Sequence, residues 1–86
     1  MKEVRVSSNT NHKKLAAMVL YEFENGAESV ALISIGPQST NQAVKAVIHL
    51  RTLSGVDYCA VPQWRTLSTK KGVVSAIMQV ITPLLD

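Results

Sequence analysis

Lys13 and Lys14 stand side by side, Arg65 is followed at short range by Lys70 and Lys71, and Lys45 and Arg51 share the stretch between Gly36 and Leu53. Cations grouped in this way can hold an anion, because several charged donors converge on phosphate or carboxylate oxygens. The formal net charge of +3 and the pI of about 9.3 favour acidic partners only mildly. Distribution says more than the total: Glu22, Glu24 and Glu28 collect in a separate segment, so the two signs of charge are partly segregated. Short basic clusters are also frequent on merely solvated surfaces, and that plainer reading stays open at this stage.

Residues suited to catalysis or metal binding are few. His12 and His49 are the two histidines, fall on different predicted helices and lack a spaced third ligand, so no metal site is expected. Cys59 is the single cysteine, which excludes an intrachain disulfide and a multi-cysteine zinc site and fits a reducing cytoplasmic compartment. It falls within a predicted strand, where a free cysteine behaves as a small buried hydrophobe. Pairing it with His49 would require the fold to bring the two together. The lone Gly36 is not a phosphate-binding glycine loop. Neither an enzyme nor a cofactor is expected.

The elements that carry these residues follow from periodicity. Val4 and Val6 alternate with Glu3, Arg5 and Ser7, the pattern of a half-buried strand ending near Ser8. Asn11 or Thr10 then caps an amphipathic helix, with Ala16, Val19, Leu20 and Phe23 at helical spacing, covering about Asn11 to Asn25 and ended by Gly26. The run from Ser29 to Ile35 is almost wholly apolar and reads as a central strand buried on both faces.

A second helix is expected to begin near Ser39, where Ser39 and Gln42 have the spacing of a capping box. Its apolar face would be Ala43, Val44, Val47, Ile48 and Leu50, and its polar face Gln38, Gln42, Lys45, His49 and Thr52. Val56 to Pro62 reads as a third, largely buried strand. Thr69 to Gly72 reads as a hairpin turn, and Val73 to Thr82 as a fourth strand stopped by Pro83. Trp64, beside Arg65, would either pack at the base of that hairpin or stack on a base.

The order is therefore βαβαββ, an α/β two-layer sandwich in which a mixed four-stranded sheet carries two helices on one face. At 86 residues, with 47% hydrophobic and 17% charged residues, residues 1–86 are expected to form a single domain. A core of this size is stabilised by only about 3–5 kcal/mol, which makes a homodimer unsurprising. The alternating start from Met1 to Val6 is unlike a signal peptide, and no apolar run is long enough to span a bilayer, so no membrane partner is expected.

The run Asn41-Gln42-Ala43-Val44-Lys45-Ala46-Val47 resembles the signature of the stage V sporulation protein S family. Val4-Arg5-Val6-Ser7, Ser54-Gly55-Val56-Asp57, Val61-Pro62 and Val80-Ile81-Thr82-Pro83 also fall where that family has similar residues. That family is similar in turn to the Alba chromatin proteins, which share the element order derived above. The resemblance implies an Alba-like fold, a dimer, and binding of nucleic acid, DNA or RNA, through the loop before helix one, the start of helix two and the terminal hairpin. Carried onto this chain, it points to His12, Lys13 and Lys14, to Asn41, Gln42 and Lys45, and to Arg65, Lys70 and Lys71. The basic hairpin turn and Pro37 depart from the family's usual pattern. The reading of another class is a protein-interaction module that docks a regulator through the polar face of helix two or a sheet edge, without nucleic acid.

Overall fold

The computed structural model describes residues 1–84 and contains β1 (Lys2–Val6), α1 (His12–Glu24), β2 (Val30–Ser34), α2 (Pro37–Ser54), β3 (Tyr58–Thr69) and β4 (Gly72–Pro83). One sheet runs in the order β1-β2-β4-β3. β1 pairs parallel to β2, with Val4 opposite Leu32. β4 is antiparallel to both its neighbours, with Ile81 opposite Val30 on one side and Ala60 on the other. The final hairpin thus inserts β4 between β2 and β3. β3 keeps the direction of β2 without bonding to it.

Both helices lie on one face. Leu15, Ala16 and Val19 of α1 and Ala43, Ala46 and Leu50 of α2 pack with Val6, Val30, Leu32 and Ile81 in one buried cluster. All five residues of β2 are buried, as its continuous apolar run implied. Among the described residues, no helix is long and apolar enough to cross a membrane.

The helix boundaries have local causes. Asn11 caps α1 by accepting from the amides of Lys13 and Lys14 at 3.0 and 3.1 Å. Gly26, with φ of 97°, closes it: the Gly26 amide bonds the Phe23 carbonyl and the Ala27 amide bonds the Glu22 carbonyl, the paired closure of a Schellman motif. α2 starts differently from the expected capping box. It begins at Pro37 behind Gly36 and has no side-chain cap. Pro37 occupies the first turn, where its missing N–H costs nothing. Ser39 and Thr40 turn their hydroxyls backwards, donating to Ile35 O at 2.5 Å and Gly36 O at 2.7 Å. Ser34 Oγ also meets Thr40 Oγ1 at 2.9 Å, which ties the end of β2 to the first turn of α2.

Two further expectations are corrected. The buried row of α2 is Ser39, Ala43, Ala46 and Leu50, whereas Val44 and Ile48 are 43% and 66% exposed. Ser39, Ala43 and Ala46 keep the first part of the buried row small, Leu50 fills the core at its end, and Val44 and Ile48 are left outside. β3 is also longer than expected and largely exposed. It continues through Pro62 because it is an edge strand, where the missing donor of a proline is tolerated.

The hairpin gives the molecule its length. Twelve-residue strands reach about 40 Å, against a longest dimension of 42 Å. On the face away from the helices, Ala31, Ile33, Leu67, Ala76 and Met78 form a second buried cluster.

Gly36 has φ of 85° and ψ of 168°, a region essentially reserved for glycine, and a Cβ added there would meet nothing within 4 Å. Gly36→Ala should therefore destabilise by backbone strain alone, about 1–3 kcal/mol. Urea denaturation measures this, and an unchanged midpoint would contradict the strained junction.

Candidate functional site

α1 and α2 cross so that the start of one meets the middle of the other. The His12 and His49 rings lie edge to face with centroids 6.2 Å apart. Lys45 joins them in lining a cleft of about 310 Å³ with Ile48 and Thr52. The exposed Lys13 and Lys14 lie next to His12 on the first turn of α1, held there by the Asn11 cap. Lys14 lines a separate cleft beside Arg5 and Thr10, so of the expected cations Lys45 alone joins His12 in this one. His49 belongs to it and was not among the expected site residues. Its spacing of four from Lys45 placed both on one helix face, but nothing in the sequence linked that face to His12.

The start of α2 serves two surfaces. Ser39, on one side, lines a pocket shared with Ser7, Ser8 and Thr10 of the β1–α1 loop. Asn41, on the other, lines a mainly apolar groove of about 560 Å³ with Pro37, Val44, Trp64 and Ile77. Gln42 is half-buried on the first turns of the helix. Trp64 is 78% exposed, so it neither packs at the base of the hairpin nor is shielded by it.

The three hairpin cations separate. Lys70 and Lys71 form the exposed two-residue tip between Thr69 and Gly72, roughly 16 Å along the strand beyond Trp64 at the usual rise per residue. Arg65 is not part of that tip. Its guanidinium grips Glu3 in a fork, Nη1 to Oε2 at 2.9 Å and Nη2 to Oε1 at 3.1 Å. Nη1 also lies 3.5 Å from Met78 Sδ. The pair crosses from one sheet edge to the other on the face away from the helices. Arg51 is likewise engaged, with Asp57 at 2.6 Å, in an exposed pair of the kind that contributes little stability.

Cys59 and His49 are not brought together. Cys59 alternates with Ala60, which packs in the helix-side cluster, and so faces the other side of the sheet. Among the described residues, no group of three or more His, Cys, Asp or Glu side chains converges as metal ligands would.

The family described as stage V sporulation protein S (SpoVS) matches residues 2–83. No curated protein sequence gives a match. Among solved structures, Alba from Thermoplasma volcanium is similar with a TM-score of 0.66 at 17% sequence identity, over 98% of this chain and 100% of that one. The likeness is one of fold, and it extends to the whole βαβαββ order.

The hydrogen bond from Arg65, with its charge, holds the Glu3 carboxyl below its ordinary value of 4.5. A lowered folded-state pKa means that the pair stabilises above the unfolded value and that this contribution is lost as pH falls through the folded one. Acid titration of stability should show this as a decline below about pH 4.5 that is weaker in Glu3→Gln. Parallel curves for the two proteins would show that the clamp does not contribute.

Proposed function

The chain belongs to the stage V sporulation protein S family and has the Alba-like fold, and from these together we propose a non-catalytic nucleic-acid-binding protein, acting on DNA or RNA as a cytoplasmic homodimer. The family's description points to a regulatory role in sporulation or development. Contacts would be mainly to the phosphate backbone, through His12, Lys13, Lys14 and Lys45 at the crossing of the helices. Asn41 and Gln42 at the start of α2 and Lys70 and Lys71 at the hairpin tip would extend the footprint. Arg65 is the weakest of the nine expected residues, since its charge is already compensated by Glu3.

The observation that carries this reading is the direction of charge along α1. Its first turn holds Lys13 and Lys14 with no acid, and its last turn holds Glu22 and Glu24 with no base. A helix macrodipole favours the reverse, by about 0.3–1 kcal/mol per charge at a surface. These charges therefore work against the helix that bears them. A polyanion at the start of α1 would relieve that cost and gain from the same dipole.

The apolar groove beside Trp64 supports the dimer. Val44 and Trp64 line it and are exposed, and burying them against a second copy would take apolar surface out of water. The same groove is what favours the second reading, a protein-interaction module, in which a different protein would occupy it.

Binding to duplex DNA or RNA should fall steeply with salt. A dimer that neutralises on the order of six phosphates has a slope near minus five in log affinity against log salt. Lys13→Glu with Lys14→Glu should abolish binding and yet raise helix stability by roughly 0.5–1 kcal/mol, read by thermal melting. Binding that neither salt nor these changes weaken would sink the proposal. In sedimentation, Trp64→Asp should convert a dimer to a monomer with unchanged circular dichroism; an unaltered sedimentation coefficient would point the groove to another partner.

A further inference from the structure

Arg5 is the one arginine of the three that is not paired with a carboxylate among the described residues. Its own strand carries a single acid, Glu3, two residues away on the same face, and both oxygens of Glu3 are taken by Arg65. The clamp across the sheet thus leaves Arg5 within reach of the Glu3 charge but without a hydrogen bond to it. What remains beside Arg5 is concave, with hydroxyl groups set among apolar side chains. A pocket of about 360 Å³ lies at the carboxyl ends of the parallel pair β1 and β2, where Arg5, Ser7, Ser8, Thr10 and Ser39 stand around the apolar Val6, Ile33 and Ile35. A second cleft of about 220 Å³ continues past Arg5 and Thr10 to Lys14. Arg5 and Thr10 line both, so the two form one trough with a cation in the middle and another at one end.

The donors in the trough can be counted. Ser7 and Thr10 hydroxyls bond each other at 3.0 Å, and since only one of them donates in that bond, the other keeps a free hydroxyl hydrogen. The Ser8 hydroxyl makes no hydrogen bond within the described residues. Ser39 donates to the Ile35 carbonyl and so serves as wall rather than donor. In the larger pocket a forked guanidinium and two hydroxyl donors stand outside the carboxyl ends of parallel strands, a set that matches a tetrahedral oxyanion, and Lys14 adds an ammonium from the adjoining cleft.

We propose that this trough seats a phosphate group, with Arg5 as its principal cation and Lys14, Ser8 and the Ser7–Thr10 pair as its other donors. Two sources share that chemistry: a backbone phosphate of a nucleic acid and a free phosphorylated small molecule. The backbone source rests on the function proposed above; the free source does not. In the first case the trough extends the footprint of Lys13, Lys14 and Lys45 around the start of α1 onto β1.

The test is amide chemical-shift mapping of the full chain, titrated separately with inorganic phosphate, AMP and a short DNA duplex, for the wild type, Arg5→Gln and Arg5→Lys. Arg5 is exposed, and amide dispersion equal to wild type checks that the variants fold. Shifts at Ser7, Ser8 and Thr10 with phosphate and with duplex are expected, and Arg5→Gln should remove them. That variant should also weaken duplex binding about tenfold, as loss of one charge-assisted contact would, and reduce the salt slope by about one per protomer. Arg5→Lys should recover the slope but not all of the affinity, because it keeps the charge and loses the fork. Duplex binding that is the same in wild type and Arg5→Gln, with these amides unmoved, overturns the trough and leaves the nucleic-acid reading standing. Phosphate and AMP shifts without duplex binding support the trough as a small-molecule site and remove the nucleic-acid reading. Unmoved amides with all three ligands overturn the trough.

Discussion

A four-stranded sheet with helices on one face only has a second face that no layer covers, and the rest of this structure answers to that constraint. β2 is apolar throughout and lies in the interior of the sheet, so Ala31 and Ile33 need shelter on the bare side. The shelter comes from within the sheet. Leu67, Met78 and Ala76 on the long hairpin close around Ala31 and Ile33, and the Glu3–Arg65 fork stretches above them from edge to edge. An ion pair serves here because its outer side can stay wet while its stems lie on apolar surface. The cost is that one arginine is withdrawn from any role in holding a ligand.

The same constraint shapes the helix side. Because the helices supply the only covering layer, α2 must lie close to the sheet and to α1, and its buried row is small at Ser39, Ala43 and Ala46 before it ends on the large, fully buried Leu50. Close packing leaves Val44 on the flank that faces the hairpin and Ile48 on the flank where His49 meets His12. The cleft of His12, Lys45 and His49 and the apolar groove are thus two sides of one helix.

Much of this was legible in the chain because the signals are local. Asn11 before a helical repeat, the uninterrupted apolar run of β2 and Gly26 after the last turn of α1 each act within a few residues, and each element stands where those signals put it. The misreadings have physical causes of other kinds. Pro62 looks like a stop until β3 is known to be an edge, and sheet order is not written in any one segment. Val44 and Ile48 look like core by size, whereas the close approach of α2 selects alanine. The Arg65–Glu3 pair joins residues 62 positions apart, and the His12–His49 contact joins two helices. Residue type disclosed the cations; only the fold discloses which of them are already spent.

The placement of β4 bears on how the chain acquires its shape. The last strand in sequence is an interior strand, bonded on both sides, whereas β3, made before it, waits at the margin. During synthesis the first four elements can form only the parallel pair and its helices, with one edge of β2 exposed to any passing strand. The sheet closes when the final hairpin slots in as a unit, so the transition is expected to be late and cooperative, dominated by contacts distant in sequence. A nascent chain stalled before β4 would present a sticky, half-finished edge, and loss of the terminal hairpin would remove the middle of the sheet rather than trim its rim.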